Sequence, residues 1–338
     1  MLSAILKSPG TIEIQDVATP EPKAGELLVK VKAALTCGTD LKAYLRGHSL
    51  MPMPGPLGHE FSGIVAARGR GAGRFKVNDA VMAVHSAPCL NCAFCAKGVF
   101  NLCENQMSSK VLGAFSEYIL IPKHVVSQNV FKKPDSLGFQ EAAFLEPLSC
   151  VVHSVEPLNI NHKDIVLIIG AGPIGLLHLM LLKHKGAKVM ITGLEQERLE
   201  TAVKLGADVV FHPSETAARV GDFSRGMGAD CVFECTGQPA VWESSVDYVR
   251  RGGTVVLFGG CKKGTDVTFS AERLHYDEIT LRGIFHFTPQ DVQKAFNLLK
   301  SDKIYVKQLI TGTCSLRELP SVFPLLAKGK GIKYAVVP

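Results

Sequence analysis

The hexapeptide Gly170-Ala-Gly172-Pro-Ile-Gly175 limits the folds open to this chain more than any other segment. It directly follows the apolar run IVLII at 165–169 and opens an apolar stretch with helical spacing, 174–185. A short run of continuous apolar residues reads as a buried strand, and the order strand, turn, helix gives each glycine a task. Gly170 permits the tight turn, Gly172 lets the backbone approach a pyrophosphate, and Gly175 allows the helix to pack closely on the strand. Pro173 and Ile174 then stand at the first helical positions, where free N–H groups and the positive end of the helix dipole meet a phosphate. Such a glycine pattern alone is a weak signal, compatible with a bare structural turn. Its setting makes a dinucleotide-binding unit the expectation.

The surrounding segments agree with that expectation. Strand candidates recur at 165–169, 188–192, 209–211, 231–234, 254–258 and 280–284, with helical patterns between several of them, such as 174–185 and 196–205. Six strands with crossover helices imply a doubly wound parallel sheet, hence an α/β fold class. The first 145 residues read differently, as short strands and turns. Segment 26–34 (ELLVKVKAA) alternates apolar and polar residues as a half-buried strand does, and 61–67, 79–84 and 115–121 look like further strands. After residue 288 a helix at 289–299 leads into a mixed tail ending in a strand at 332–337.

Four of the ten cysteines crowd into Cys89-x2-Cys92-x2-Cys95-x7-Cys103. No signal-peptide run opens the sequence, so a cytoplasmic protein is the default, and there thiolate metal ligation is a better reading than disulfides. Four thiolates surround one zinc tetrahedrally and leave no position for water, which makes the site structural. An iron–sulfur cluster is the alternative; its known spacings differ, and no proline follows Cys103. A zinc-ribbon nucleic-acid module would need two CxxC knuckles set farther apart.

The 338 residues suffice for two hydrophobic cores. No uninterrupted apolar run reaches the roughly 18 residues of a membrane span. The net charge of +6 is scattered; its densest basic run, Arg68 to Arg74, holds three arginines and no aromatic, which a solvated turn explains as well as nucleic-acid binding. Anionic cofactor phosphates give the mild positive balance a simpler use.

With Cys37-Gly-Thr-Asp40 and Gly58-His59-Glu60 added to the cysteine lobe and the glycine turn, the chain resembles the zinc-containing medium-chain dehydrogenase/reductase family. The resemblance runs from residue 4 to the C-terminus. The segment Glu146-Pro-Leu-Ser-Cys150, with His153 after it, is most similar to the polyol (sorbitol-like) and threonine dehydrogenase branches. This resemblance implies a GroES-like β-rich catalytic domain at 1–146 and 289–338, with a structural zinc lobe at 86–108, interrupted by a Rossmann NAD(P)-binding domain at 147–288. It also implies two zinc ions per chain, a small alcohol or ketone as substrate, a homo-tetramer or homo-dimer, and neither a nucleic-acid nor a membrane partner.

Residue by residue, Cys37 and His59 match the family's zinc ligands. Glu60 matches a carboxylate that binds the metal directly or yields to water. Glu146 stands where the polyol branch has a glutamate, ligating directly or through a water. A catalytic zinc needs about three protein ligands and one open position, which this set can supply. Thr39 matches the hydroxyl that shuttles the substrate proton, and Lys42 replaces a histidine that passes the proton to solvent. That departure leaves Lys42 to contact ribose, to meet an anionic substrate group, or simply to be solvated. Lys333 is expected to approach the cofactor pyrophosphate. Taken singly, Cys37 is as well read as a small buried hydrophobe, and Glu146-Pro147 as a helix start. The other histidines, including His48, His85 and His153, are structural by default.

The reaction implied is hydride transfer between a secondary alcohol (a polyol, sugar alcohol, cyclitol or amino alcohol) and NAD or NADP. Strand 188–192 ends at Gly193, where NAD-binding relatives have an acidic residue; the small residue makes room for a 2′-phosphate, whereas Glu195 would repel it. The balance leans slightly to NAD. Two rivals exist: a zinc-containing regulatory or nucleic-acid-binding protein without catalysis, which a damaged ligand set would mark, and a zinc-independent quinone or enone reductase, which would lack the cysteine lobe.

Overall fold

Strand Leu27–Leu35 (LLVKVKAAL) turns its apolar residues inward and leaves Lys30 and Lys32 exposed, as its alternation requires. In this computed structural model, which describes residues 1–338, that strand is central to a seven-stranded sheet. The sheet order is Ile310–Ser315, Lys333–Val337, Leu27–Leu35, Glu60–Arg68, Ala80–Ala83 and Val130–Lys132, with Tyr118–Ile121 also paired to Leu27–Leu35. A hairpin of Leu2–Ser8 and Thr11–Asp16, joined by Gly55–Pro56, forms a separate three-stranded sheet. Phe61, Phe75, Phe115 and Phe323 fill the core beneath, each fully buried.

These elements belong to the first of two units, Met1–Cys150 together with His286–Pro338; the second is Val151–Phe285. The first boundary falls inside helix Leu145–Val155, which carries Glu146 in its first turn.

The second unit is a six-stranded sheet, parallel throughout, ordered Val209–Phe211, Lys188–Thr192, Ile165–Ile169, Ala229–Glu234, Val249–Leu257 and Thr280–Gly283. Three of the expected strands have the expected ends, and Val249–Leu257 starts five residues earlier than the apolar run. Helices Pro173–His184 and Gln196–Lys204 follow the first two strands in sequence. Chain order reverses between Ile165–Ile169 and Ala229–Glu234, and doubly wound sheets bind ligands at the carboxyl ends of the strands at such a switch point.

The arginine run at 68–74 has structural work. Arg68 donates to Phe75 O at 3.1 Å and Arg74 to Val130 O at 2.7 Å, with the Arg74 guanidinium 5.2 Å above the Phe75 ring. No helix is long and apolar enough to cross a membrane.

Candidate active site

Sheet register brings distant residues to one end of the first unit. Leu35 lies opposite both Glu60 and Ala335, so Cys37, His59, Glu60 and Lys333 converge there. Cys37 is extended and caps helix Gly38–Arg46. Its Sγ accepts the Thr39 N–H at 3.5 Å, and its own N–H donates to Asp40 Oδ2 at 3.2 Å, a reciprocal capping arrangement. The other Asp40 oxygen, Oδ1, lies 3.3 Å from His59 Nδ1, close for electrostatic attraction but not aligned for a hydrogen bond. Burial pulls the His59 pKa down, yet the nearby Asp40 and Cys37 override it and hold it well above the ordinary value. Asp40, fully buried, is a residue beside His59 that the motif contains without a role; its position three residues after Cys37, as the acidic partner of a capping box, was the available signal.

Glu60 is fully buried, and its carboxylate receives the Lys333 ammonium at 2.8 Å and 2.5 Å. Burial pushes the Glu60 carboxyl up to about 7, against the opposing pull of Lys333. Lys333 also donates to Thr36 O at 2.8 Å and is only 1% exposed. This corrects the expectation that Lys333 meets the pyrophosphate: every proton-donating direction seen for its ammonium points into the catalytic core, where it balances a buried carboxylate.

One ligand atom each of Cys37, His59 and Glu60 lie within 4.8 Å of one another. A thiolate, an imidazole and a carboxylate are a donor set that zinc accepts, and a carboxylate behind the ligating histidine is the usual orienting partner. These residues therefore fit a catalytic zinc. Glu146 is not part of this trio. It groups instead with His85 and His286, again within 4.8 Å. Its Oε1 is 3.3 Å from His85 Nδ1, and the Cys150 thiol donates to it at 3.8 Å. Burial alone would raise the Glu146 carboxyl; the imidazoles of His85 and His59 reverse that and bring it down to about 2. Burial drives the Cys150 thiol up, which keeps it protonated.

The four lobe cysteines also assemble. Cys89, Cys92, Cys95 and Cys103 have their sulfurs within 4.8 Å of one another, with Cys92–Cys95 at 3.5 Å and Cys89–Cys95 at 4.0 Å. Tetrahedral Zn–S bonds of about 2.3 Å require S···S spacings of about 3.8 Å. The lobe fits a structural zinc.

In the second unit each glycine of the turn has its own constraint. Gly170 takes φ +110°. A Cβ on Gly175 would sit 1.9 Å from Gly170 O, whereas Gly172, capping the helix that begins at Pro173, faces open space. A close-packed floor with an open N-terminus fits a dinucleotide pyrophosphate. At the end of strand Lys188–Thr192, a Cβ on Gly193 would meet Ala171 Cβ at 2.7 Å, so packing against the turn accounts for this glycine. Glu195 stands at the N-cap position of the next helix without a side-chain capping bond and pairs with Arg198 at 3.5 Å.

Comparison with known proteins agrees with this geometry. Residues 23–135 match the alcohol dehydrogenase GroES-like domain family, and residues 173–301 the zinc-binding dehydrogenase family. A sorbitol dehydrogenase of Halalkalibacterium halodurans is 30% identical over 336 residues, covering 97% of this chain and 96% of the relative. A zinc-binding dehydrogenase of Sinorhizobium meliloti solved with NADP superposes with a TM-score of 0.90 at 30% identity, covering 100% and 99% of the two chains. An alcohol dehydrogenase of Escherichia coli complexed with NADH gives 0.90 at 26%, with the same coverage. The chain thus belongs to the zinc-containing medium-chain dehydrogenase/reductase family, in its polyol-dehydrogenase branch.

Proposed function

We propose that this protein is a zinc-dependent oxidoreductase transferring a hydride between a secondary alcohol and NAD(P), with a polyol, sugar alcohol, cyclitol or amino alcohol as substrate. The observation that carries the reading is the buried trio Cys37, His59 and Glu60, braced by Asp40 and Lys333. The sorbitol dehydrogenase relative supports the polyol class.

Zinc at this trio supplies Lewis acidity that lowers the pKa of an alcohol oxygen, and the nicotinamide supplies the hydride acceptor. The chain's own residues do the rest. Asp40 braces the His59 ring, and Lys333 favours the ionised form of Glu60 against its burial and holds the carboxylate in place. The Thr39 N–H stabilises the Cys37 thiolate, and the Thr39 hydroxyl would relay the alcohol proton, accepting it at Oγ1 as its own proton leaves toward solvent. Glu146 serves through a water. Backbone N–H groups at Gly172, Ile174 and Gly175 frame the pyrophosphate, and Pro173, which has no N–H, contributes shape alone.

On the cofactor, the reading is a modest preference for NAD. Gly193 is explained by packing against Ala171, and Glu195 offers a carboxylate to a ribose 2′-hydroxyl. The four-thiolate lobe needs reduced cysteines, in keeping with a cytoplasmic setting, and family precedent supports a homo-oligomer. The test is a panel of polyols offered with each cofactor to zinc-replete protein, followed by the absorbance of the reduced nicotinamide. Oxidation of at least one secondary polyol is expected. Complete inactivity by protein with full zinc content and bound cofactor would overturn the reading.

A further inference from the structure

Lys42 and the cavity beside the zinc trio are not used by the reaction as proposed. Lys42 and Arg46 stand four residues apart in helix Gly38–Arg46, whose N-cap is Cys37, so the two cations share one helix face. The chain then turns through His48, which is half-buried. Its Nδ1 accepts the Leu50 N–H at 3.2 Å, so the neutral ring carries its proton on Nε2 and keeps a donor there. The Leu50 carbonyl in turn accepts from the Lys110 ammonium. Burial pulls the His48 pKa down, and the charges of Lys110, Lys42 and Arg46 pull it further. Asp40 opposes them, but that carboxylate is fully buried and turned toward Cys37 and His59.

Lys110 also lines a cavity of about 630 Å³, together with Ser49, Met51, Met107, Ser108 and Leu112. No acidic residue lines it. The segment that follows Lys110 ties the cavity to the trio. Val111 donates its N–H to His85 O at 2.7 Å, and the His85 ring lies 5.1 Å from that of His59. Gly113 and Ala114 donate to Gly58 O, one residue before His59, at 3.0 and 3.1 Å.

From this arrangement we infer that the substrate is an anionic polyol, its phosphate or carboxylate seated at Lys110 and His48 against the Lys42–Arg46 helix face while the reacting carbinol lies at the zinc trio. An ammonium has three donors, and Leu50 O takes one from Lys110, which leaves two for a ligand. Ser49 and Ser108 add hydroxyl donors, and hydrogen bonds from cations to phosphate or carboxylate are the strong ones. Met51, Met107 and Leu112 supply an apolar wall, where a charge pair is screened less than in water. Lys42 is five residues beyond Cys37, about 7.5 Å along the helix axis, a distance that the carbon chain of a pentitol or hexitol spans. A neutral polyol would leave these cations to water alone.

This inference rests on hydride transfer at the zinc trio, and the experiment separates the two. Hexitols, hexitol phosphates and aldonates of matching configuration are offered with NAD or NADP to zinc-replete wild-type and Lys110→Gln proteins. At least one anionic member should exceed its neutral counterpart in kcat/KM by tenfold or more, about 1.4 kcal/mol. Lys110→Gln should cut that ratio at least fivefold, chiefly through KM. A preference confined to the phosphates or to the aldonates identifies which anion the cavity takes. Neutral hexitols matching or exceeding every anionic partner, or a ratio that survives both Lys110→Gln and Lys42→Gln, would overturn the inference. If no member is oxidised, the hydride-transfer reading fails, and calorimetric titration of the same hexitol phosphates and aldonates into NADH-bound protein decides the anion site alone. Binding that Lys110→Gln weakens keeps it; no binding, or equal binding to both proteins, removes it.

Discussion

Replacing Lys333 by methionine separates two roles for this lysine, one at the cofactor and one in the core. The side chain is 1% exposed and bonds to both oxygens of Glu60, itself fully buried. Methionine conserves most of the volume and removes the charge, so Glu60 is left buried without its counter-ion. Breaking one partner of a buried pair costs about 3–5 kcal/mol. In a unit of about 200 residues each kcal/mol moves the melting temperature by about 2–4 °C, so the first unit should melt about 6–20 °C lower. Bound zinc stabilises the Glu60 charge in part, which favours the lower end for zinc-replete protein. The assay is calorimetry on the wild type, Lys333→Met and the double variant Lys333→Met/Glu60→Gln, with cofactor affinity measured alongside. The double variant should regain much of the lost stability, since its buried amide carries no charge. A Lys333→Met protein that melts normally but binds cofactor about tenfold more weakly, a change of about 1.4 kcal/mol, would refute the argument and restore the phosphate-contact reading.

Cys37→Ser and His59→Ala should each abolish nearly all turnover while cofactor affinity is unchanged; retention of more than a tenth of wild-type kcat, a barrier change of only about 1.4 kcal/mol, would rule out zinc-assisted hydride transfer. Asp40→Asn keeps the shape of the cap but weakens the support of His59, and should lower kcat/KM or zinc affinity by about 10–100-fold; an unchanged value for both would make Asp40 a helix cap and nothing more. Gly175→Ala places a methyl 1.9 Å from Gly170 O and should weaken cofactor binding at least tenfold or so, about 1.4 kcal/mol, with zinc content intact, as read by titration calorimetry and metal analysis. Glu195→Arg should move the ratio of kcat/KM for NAD over NADP toward NADP by exchanging repulsion of a 2′-phosphate for attraction; a parent that already favours NADP, or a ratio that does not move, would place residue 195 outside cofactor selection.

The parts legible in the sequence share a physical property: their constraint is local. Gly170, Gly172 and Gly175 lie within one turn, where Gly170 is required by its own φ of +110° and Gly175 by Gly170 O, 1.9 Å from where a Cβ would stand. The lobe cysteines wrap their ligand position with spacers of two and seven residues, so spacing alone implies a tetrahedron. Lys333 was not legible in this way. A lysine near a chain terminus is ordinarily solvated, and its burial is tolerable only because Glu60, 273 residues earlier, is delivered by the same sheet. At Gly193 the sequence offered only the absence of a side chain; that a Cβ there would meet Ala171 Cβ at 2.7 Å is a packing reason that appears only in the fold.

His85 and His286 carry that argument furthest. Neither sits in a motif, and a lone histidine reads as structural. Their meaning arises from a strand register, Phe61 with Ala83, and from a return of the chain to the first unit at residue 286. Register is a collective property of two strands, set by which faces are buried along their whole length, and shifting it by one residue would turn His85 away from His59. A residue placed by register is therefore specified by the whole sheet rather than by its neighbours in sequence. Functional groups of this kind become visible only once the pairing is known, and in this chain they border the zinc trio while the contiguous motifs supply the trio and the cofactor turn.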